Sequence, residues 1–228
     1  MLESSVETYS RIPEDGKAMN AMNDNAAPAG RILEAALRLG ERSGWDALHL
    51  HDVADDMGIG LDEIQRHYRH KDDVAEAWFE RADLALVRVS AREGWGALSH
   101  RERLEQAILA WLEALAPHRQ LTAQMLRYKL QPEHVHLQVQ GLLHISRTVQ
   151  WLREAARLPE SGWRREAGEV VLTGIFLSTV GCWLRDGSPD AGRTRAWLDR
   201  QLRCAERLAW RRPGDTGAPP GWTRSPTR

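Results

Sequence analysis

Residues 58–73 read GIGLDEIQRHYRHKDD. Gly58 follows a short apolar helix at about 51–57, and a second short helix is predicted from about 61 to 68. A short helix, a glycine turn and a short helix are what a helix-turn-helix needs, because the tight turn wants a residue free of Cβ strain. The second helix of that motif lies in the major groove of DNA. Yet Asp62 and Glu63 fall in its first turn, where phosphates would come nearest. As local structure they are favourable, since each carboxylate there stabilises the helix macrodipole by about 0.3–1 kcal/mol. In a DNA reader the same groups would face phosphate, or accept from a cytosine amino group. Gln65 can pair bidentately with adenine, and Arg66, Arg69, His70 and Lys71 restore local positive charge.

Working outward, RILEAALRLGER (31–42) places Ile32, Ala35, Ala36 and Leu39 on one face at helical spacing and stops at Ser43-Gly44. The helix at 51–57 presents Val53, Ala54 and Met57 inward, and a longer helix is predicted from about Asp72 to Arg92. Beyond residue 100 five long helices are predicted at about 101–115, 118–130, 133–158, 162–186 and 190–210. Their breaks are marked by Pro117, Pro132, the segment 159–162 and the segment 186–192. No alternating strand pattern and no internal repeat occurs. The expectation is an all-α protein, with a three- to four-helix headpiece carrying the helix-turn-helix, followed by a helical bundle for ligand binding and dimerisation. Residues 29–92 form the first domain in this reading and 93–211 the second. The polar stretch 1–28 and the Pro/Gly-rich stretch 212–228 are expected to be disordered tails.

The 228-residue chain is 42 % hydrophobic and 28 % charged, ordinary for a globular protein. No apolar run reaches the 18 or so residues of a membrane span, and the N-terminus has no apolar core of a secretory signal; a cytoplasmic protein is expected. Cys182 and Cys204 fit reduced thiols within helices better than a disulfide framework. Charge is uneven: residues 1–28 carry a net −3, residues 29–90 a net −5 and residues 91–228 a net +7. DNA binding by the headpiece would act against its own mean field, because phosphate contacts dominate affinity.

The segment ILEAALRLGERSGWDALHLHDVADDMGIGLDEIQRHYRHKDDVAEAWF, residues 32–79, resembles the N-terminal domain of the tetracycline-repressor (TetR) family of bacterial regulators. The shared skeleton is an apolar first helix, Gly44, the second-helix run around Asp52, Val53, Ala54 and Gly58, and the ending His67, Tyr68, Lys71. The resemblance implies a homodimer whose helix-turn-helix binds operator DNA and whose variable second domain binds small, often hydrophobic molecules. It also implies phosphate contacts from His67 and Lys71 and a packing role for Tyr68. The pattern departs at Gly60, where the family prefers a Ser or Thr cap, at Glu63, often Thr, at Gln65, usually a DNA-contacting Tyr, and at His49, usually the Thr that opens the second helix. The DNA-binding candidates are therefore His49, Gln65, Arg66, His67 and Lys71.

Near the other end, CWLRDGSPDAGRTRAWLDRQL (182–202) is similar to the C-terminal segment of ubiquinone-biosynthesis accessory proteins, which share this fold but bind lipid. The matching residues include Trp183, Asp186, Ser188, Pro189, Thr194, Leu198, Asp199 and Arg200. A structural reading stands beside it: Asp186-Gly187 ends one helix and Ser188 or Asp190 caps the next. The resemblances thus leave two readings, a ligand-responsive transcriptional regulator or a lipid- or isoprenoid-handling protein whose headpiece no longer binds DNA.

Nothing in the sequence suggests catalysis. Of the cluster His134, His136 and His144, positions 134 and 136 would lie about 200° apart on a helix and cannot share a face. No HExxH, phosphate loop or nucleophile elbow is present, so no catalytic residue, metal site or cofactor is expected. Trp111, Leu115, Met125, Leu126, Leu142, Ile145, Trp151 and Leu152 are candidates to line an apolar pocket, against the plainer use of such stripes as core. Gly174, Ser178 and Gly181 form a small-residue strip beside Leu177 and Cys182. With Trp197, Leu198, Leu202 and Ala205 on the last helix they make a candidate dimer interface, the competing use being intrachain core.

Overall fold

The computed structural model of the chain describes residues 15–129, 135–158 and 163–209, with side chains described over 28–129, 144–158 and 168–207. All regular structure among them is helical: α1 (Asp15–Ser43), α2 (Leu50–Met57), α3 (Leu61–His67), α4 (Lys71–Val89), α5 (His100–Leu115), α6 (Arg119–Lys129), α7 (Val135–Ala156), α8 (Trp163–Trp183) and α9 (Gly192–Ala209). The all-α expectation holds, and the chain divides into two compact units, Met1–Trp78 and Phe79–Arg228, with the boundary inside α4.

In the first unit α1 packs on α2 and α3. Ile32, Ala35 and Ala36 are buried as their spacing requires, but Leu33 and Leu37 complete that face and Leu39 is only half-buried. Trp45, Leu48, Val53 and Ile64 close the core, each under 2 % exposed; complete burial of such a side chain contributes about 1.5–3 kcal/mol. Gly58 takes the left-handed conformation (φ 64°, ψ 34°), and its N–H returns to the carbonyls of Ala54 and Asp55. A side chain there would be strained, which is why the turn carries glycine. Tyr68 ends α3, buried, and its hydroxyl donates to the Ala29 carbonyl at 3.0 Å. Asp73 Oδ2 accepts the backbone N–H of Arg69 and of His70 ahead of α4.

The start of α1 and the end of α4 differ from the sequence expectation. α1 runs back through Pro28 to Asp15, well before its apolar face begins. α4 stops at Val89 rather than near 92, because the chain turns through Gly94 (φ 79°) into a 3₁₀ turn, Trp95–Ala97, that buries Trp95.

In the second unit α5 is the central helix, packed on α7, α8 and α9. Ser99 opens it with a capping box to Glu102, and Leu104, Ile108, Leu112 and Leu115 line its buried side. Arg103 is buried as well: its guanidinium donates to the carbonyls of Trp95, Gly96 and Ala156, while Trp95 Nε1 donates to the Ala155 carbonyl. The link between α8 and α9 is built on Asp186, 2 % exposed. Its Oδ1 accepts from Ser188 N and Oγ, and its Oδ2 from Thr194 N at 2.8 Å and Oγ1 at 2.6 Å. These donors hold the carboxyl well below the usual carboxylate range. Ser188 Oγ accepts from Arg193 N, so the cap expected of Ser188 or Asp190 is shared by Asp186 and Ser188, and Asp190 instead turns through φ 52°.

Candidate nucleic-acid interface and buried polar centre

The five residues put forward for DNA contact are placed differently from one another. Gln65 and Arg66 are exposed on α3, and the Arg66 side chain is 64 % exposed. Arg66 Nη2 donates to Asp62 Oδ2 at 2.9 Å and Nη1 to Glu63 Oε2, pairs one turn back along the same helix. His67 Nε2 lies 3.4 Å from Glu63 Oε1 and is largely covered. The first-turn carboxylates therefore serve the helix dipole and also hold the helix's own cation. Such exposed helical pairs are worth only about 0.3–0.5 kcal/mol, so a phosphate could displace one. The larger handicap is charge, because Asp62, Glu63 and Arg66 together remain net negative.

Lys71 turns inward. Its Nζ donates to the carbonyls of Trp45 at 3.1 Å and Asp46 at 3.3 Å and stands over the Trp45 ring. Desolvation lowers its pKa, opposed by Asp46 and Asp72. His49 opens α2 in an extended conformation, with its backbone N–H on Asp52 Oδ2 at 3.0 Å and its side chain exposed. The Gly60 position opens α3 without a side-chain cap, as its lack of a hydroxyl dictates.

The second unit holds a polar centre that the sequence analysis missed. Asp83, on α4 and 6 % exposed, accepts from Trp111 Nε1 at 2.8 Å and from Thr148 Oγ1 at 2.9 Å, both on Oδ1. His144 Nε2 is 3.6 Å from Oδ2, which is buried with no hydrogen bond. Around the group stand Phe79, parallel to Trp111 at 6.3 Å and tilted on His144 at 5.7 Å, and Phe176, edge-on to Trp111 at 5.0 Å. Burial pushes the Asp83 carboxyl up, opposed by Trp111, His144, Thr148 and Arg147. The signal was available: Phe79, Ala82 and Leu86 define the buried side of α4, and Asp83 falls on it at i+4 from Phe79.

Of the pocket candidates, Trp111, Leu115, Met125 and Leu152 are buried, with Trp111 in this centre; Leu126 and Ile145 are half-buried. Trp151 is 45 % exposed, because α7 gives its inner side to Thr148, Val149, Leu152 and Ala155. The Leu142 side chain lies outside the described residues, as do those of His134 and His136. Of the interface candidates, Leu198, Leu202 and Ala205 are buried within the chain. On α8 the strip Val170, Gly174, Leu177, Ser178 and Gly181 remains open to varying degree, with Val170 73 % and Leu177 44 % exposed. Cys182 is half-buried, and Trp197 Nε1 lies 3.4 Å from Ser178 Oγ, beside this strip. Among the described residues no helix is long and apolar enough to cross a membrane.

No protein-family model matches the sequence, and no curated protein matches it significantly. Among solved structures, it is similar to a TetR transcriptional regulator from Nitrosomonas europaea, with 38 % identity and a TM-score of 0.71, covering 79 % of this chain and 98 % of that one. It also matches the TetR-family regulator PfmR from Thermus thermophilus at 20 % identity, 76 % and 97 % coverage and a TM-score of 0.48. A tetR-family regulatory protein from Rhodococcus RHA1 matches at 17 % identity, 80 % and 96 % coverage and a TM-score of 0.44. At those scores the last two add nothing to what the first match shows.

Proposed function

The chain belongs to the TetR family of transcriptional regulators, and from that premise we propose that it is a homodimer whose α2–α3 motif binds operator DNA and whose second unit answers to a small, hydrophobic ligand. The observation that carries the DNA half is the solvent-facing α3, held to α2 by the left-handed Gly58 turn, with Gln65 and Arg66 outward. The ligand half is supported by the buried Asp83 among aromatic side chains, since ligand sites combine apolar walls with a few placed polar groups. Dimerisation is supported by the apolar strip of α8, which leaves Val170 and Leu177 in solvent. The DNA-binding candidates under this reading are Gln65, Arg66 and His49 directly, with His67 and Lys71 shaping the helix ends.

The lipid-handling alternative draws no specific support from the fold. Of the residues that suggested it, Asp186, Ser188 and Thr194 are accounted for as the cap between α8 and α9.

The test is fluorescence anisotropy of the full-length protein with DNA from upstream of its own gene, titrated over a range of salt. Affinity is expected to fall linearly on a log–log plot with a slope of about −0.9 per phosphate contact, and to exceed that for scrambled DNA. Hydrophobic ligands that quench tryptophan emission should then weaken the complex. Equal, salt-insensitive affinity for both DNAs would end the regulator reading.

A further inference from the structure

We propose that His49, His51 and Asp52 form a binding site for a divalent transition-metal ion of the zinc type, at the start of α2. Two histidines at i and i+2 within a helix would point about 200° apart, the reason such a pair is ordinarily dismissed. His49 escapes that geometry because it is the extended residue before the helix (φ −122°, ψ 153°), while His51 lies in the first turn. The two imidazoles consequently stack, centroids 5.1 Å apart and planes 27° apart. Asp52 bridges them: its Oδ2 is 3.5 Å from His49 Nδ1 and its Oδ1 is 3.4 Å from His51 Nε2.

All three ligand atoms lie within 4.8 Å of one another. Zinc–ligand bonds of about 2.0–2.1 Å in a tetrahedron place ligand atoms about 3.4 Å apart; each histidine nitrogen stands about that far from an Asp52 oxygen, but each from a different one, so the carboxylate turns to offer a single oxygen to the ion. The remaining histidine–histidine separation closes by side-chain rotation, for which there is room, since the His49, His51 and Asp52 side chains are 63 %, 64 % and 45 % exposed. Asp52 keeps its bond from the His49 N–H, because a carboxylate has lone pairs for several partners. The headpiece is net −5 over residues 29–90, which favours a dication. Two imidazoles with one carboxylate suit zinc, nickel or copper and not magnesium or calcium, and three protein ligands leave positions for water, as in open zinc sites.

The test uses the full chain stripped with chelator, Zn²⁺ as the probe, and competition against a chromophoric chelator. Wild type should bind one equivalent more than His51→Ala, or bind it at least about tenfold more tightly, since even outer-shell partners of metal ligands are worth about 10–100-fold. His51 takes no part in the backbone cap, so His51→Ala should keep its helical circular dichroism. Asp52→Asn, which preserves an oxygen for the His49 N–H, should lose the same equivalent. Sites elsewhere in the chain count equally in all three proteins. Identical stoichiometry and affinity in wild type and His51→Ala, or no zinc uptake by wild type with zinc in large excess, would overturn the proposal, as would a loss in Asp52→Asn alone.

Discussion

Arg66 Nη2 sits 2.9 Å from Asp62 Oδ2 while its other terminal nitrogen donates to Glu63, so the guanidinium of α3 is already engaged by its own helix. A DNA phosphate reaching Arg66 meets a group that is already neutralised and flanked by one surplus negative charge. Because the pairs are exposed, exchanging them costs little; repulsion from the surplus carboxylate is the greater term.

Asp62→Asn combined with Glu63→Thr should therefore release Arg66 and remove two negative charges per subunit. DNA affinity at low salt should rise, and the log–log salt slope should steepen by about one for each added phosphate contact. Helix stability should fall by about 0.3–1 kcal/mol for each lost first-turn carboxylate. Anisotropy titrations and urea melts read the two effects separately. An unchanged slope would show that Arg66 does not reach the backbone.

Lys71 carries a different expectation. The family resemblance makes it a phosphate contact, but its ammonium is spent on the Trp45 and Asp46 carbonyls. Lys71→Met should destabilise the headpiece by about 0.5–1.5 kcal/mol, the net worth of hydrogen bonds to part-buried and exposed carbonyls, with little change in salt slope. A slope lowered by about one with unaltered stability would return Lys71 to the DNA.

Much of this was legible beforehand. Helix boundaries from α2 to α9 follow the apolar spacing and the Gly and Pro breaks to within a few residues, since tertiary packing here agrees with local pattern. What stayed hidden depends on which of two possible faces a side chain takes. Periodicity marks Leu198 and Leu202 as apolar, yet whether they meet their own chain or a second copy is decided by where α5 and α8 lie. Arg66 and Asp62 were each visible, but their mutual pairing is a rotamer choice. Asp83 was hidden by its charge: buried carboxylates are rare, so a lone Asp in an apolar stripe is easily taken for the edge of the face.

The α8 strip bears on assembly. Leu177→Arg or Val170→Arg places a charge on a side chain that is exposed in the single chain and should fold. If two copies meet there, burying that charge is prohibitive, and sedimentation should show monomer with wild-type helicity. Leu202→Arg, fully buried within the chain, should instead unfold the second unit. A dimeric Leu177→Arg, Val170→Arg double variant would move the interface off α8.

Asp83 gives the last prediction, through its raised pKa. Its folded-state carboxyl holds a proton more tightly than the unfolded chain, whose Asp titrates near about 3.9. The group's contribution to stability is thus fully present below that value and is lost as pH rises through the folded pKa. Asp83→Asn cannot ionise, and its amide oxygen can still accept from Trp111 and Thr148. Other titrating groups are common to both proteins, so the difference in urea midpoint isolates this carboxyl. Wild type should lose ground to Asp83→Asn as pH rises above about 4, until the folded-state carboxyl has ionised. If ionised Asp83 is instead held by His144 strongly enough to outweigh burial, wild type will gain on the variant over the same range, and the raised pKa is wrong. Thr148→Val is the companion: it removes one donor from Oδ1, should cost about 1–3 kcal/mol at neutral pH, and should matter less in acid, where the carboxyl is protonated and needs fewer donors.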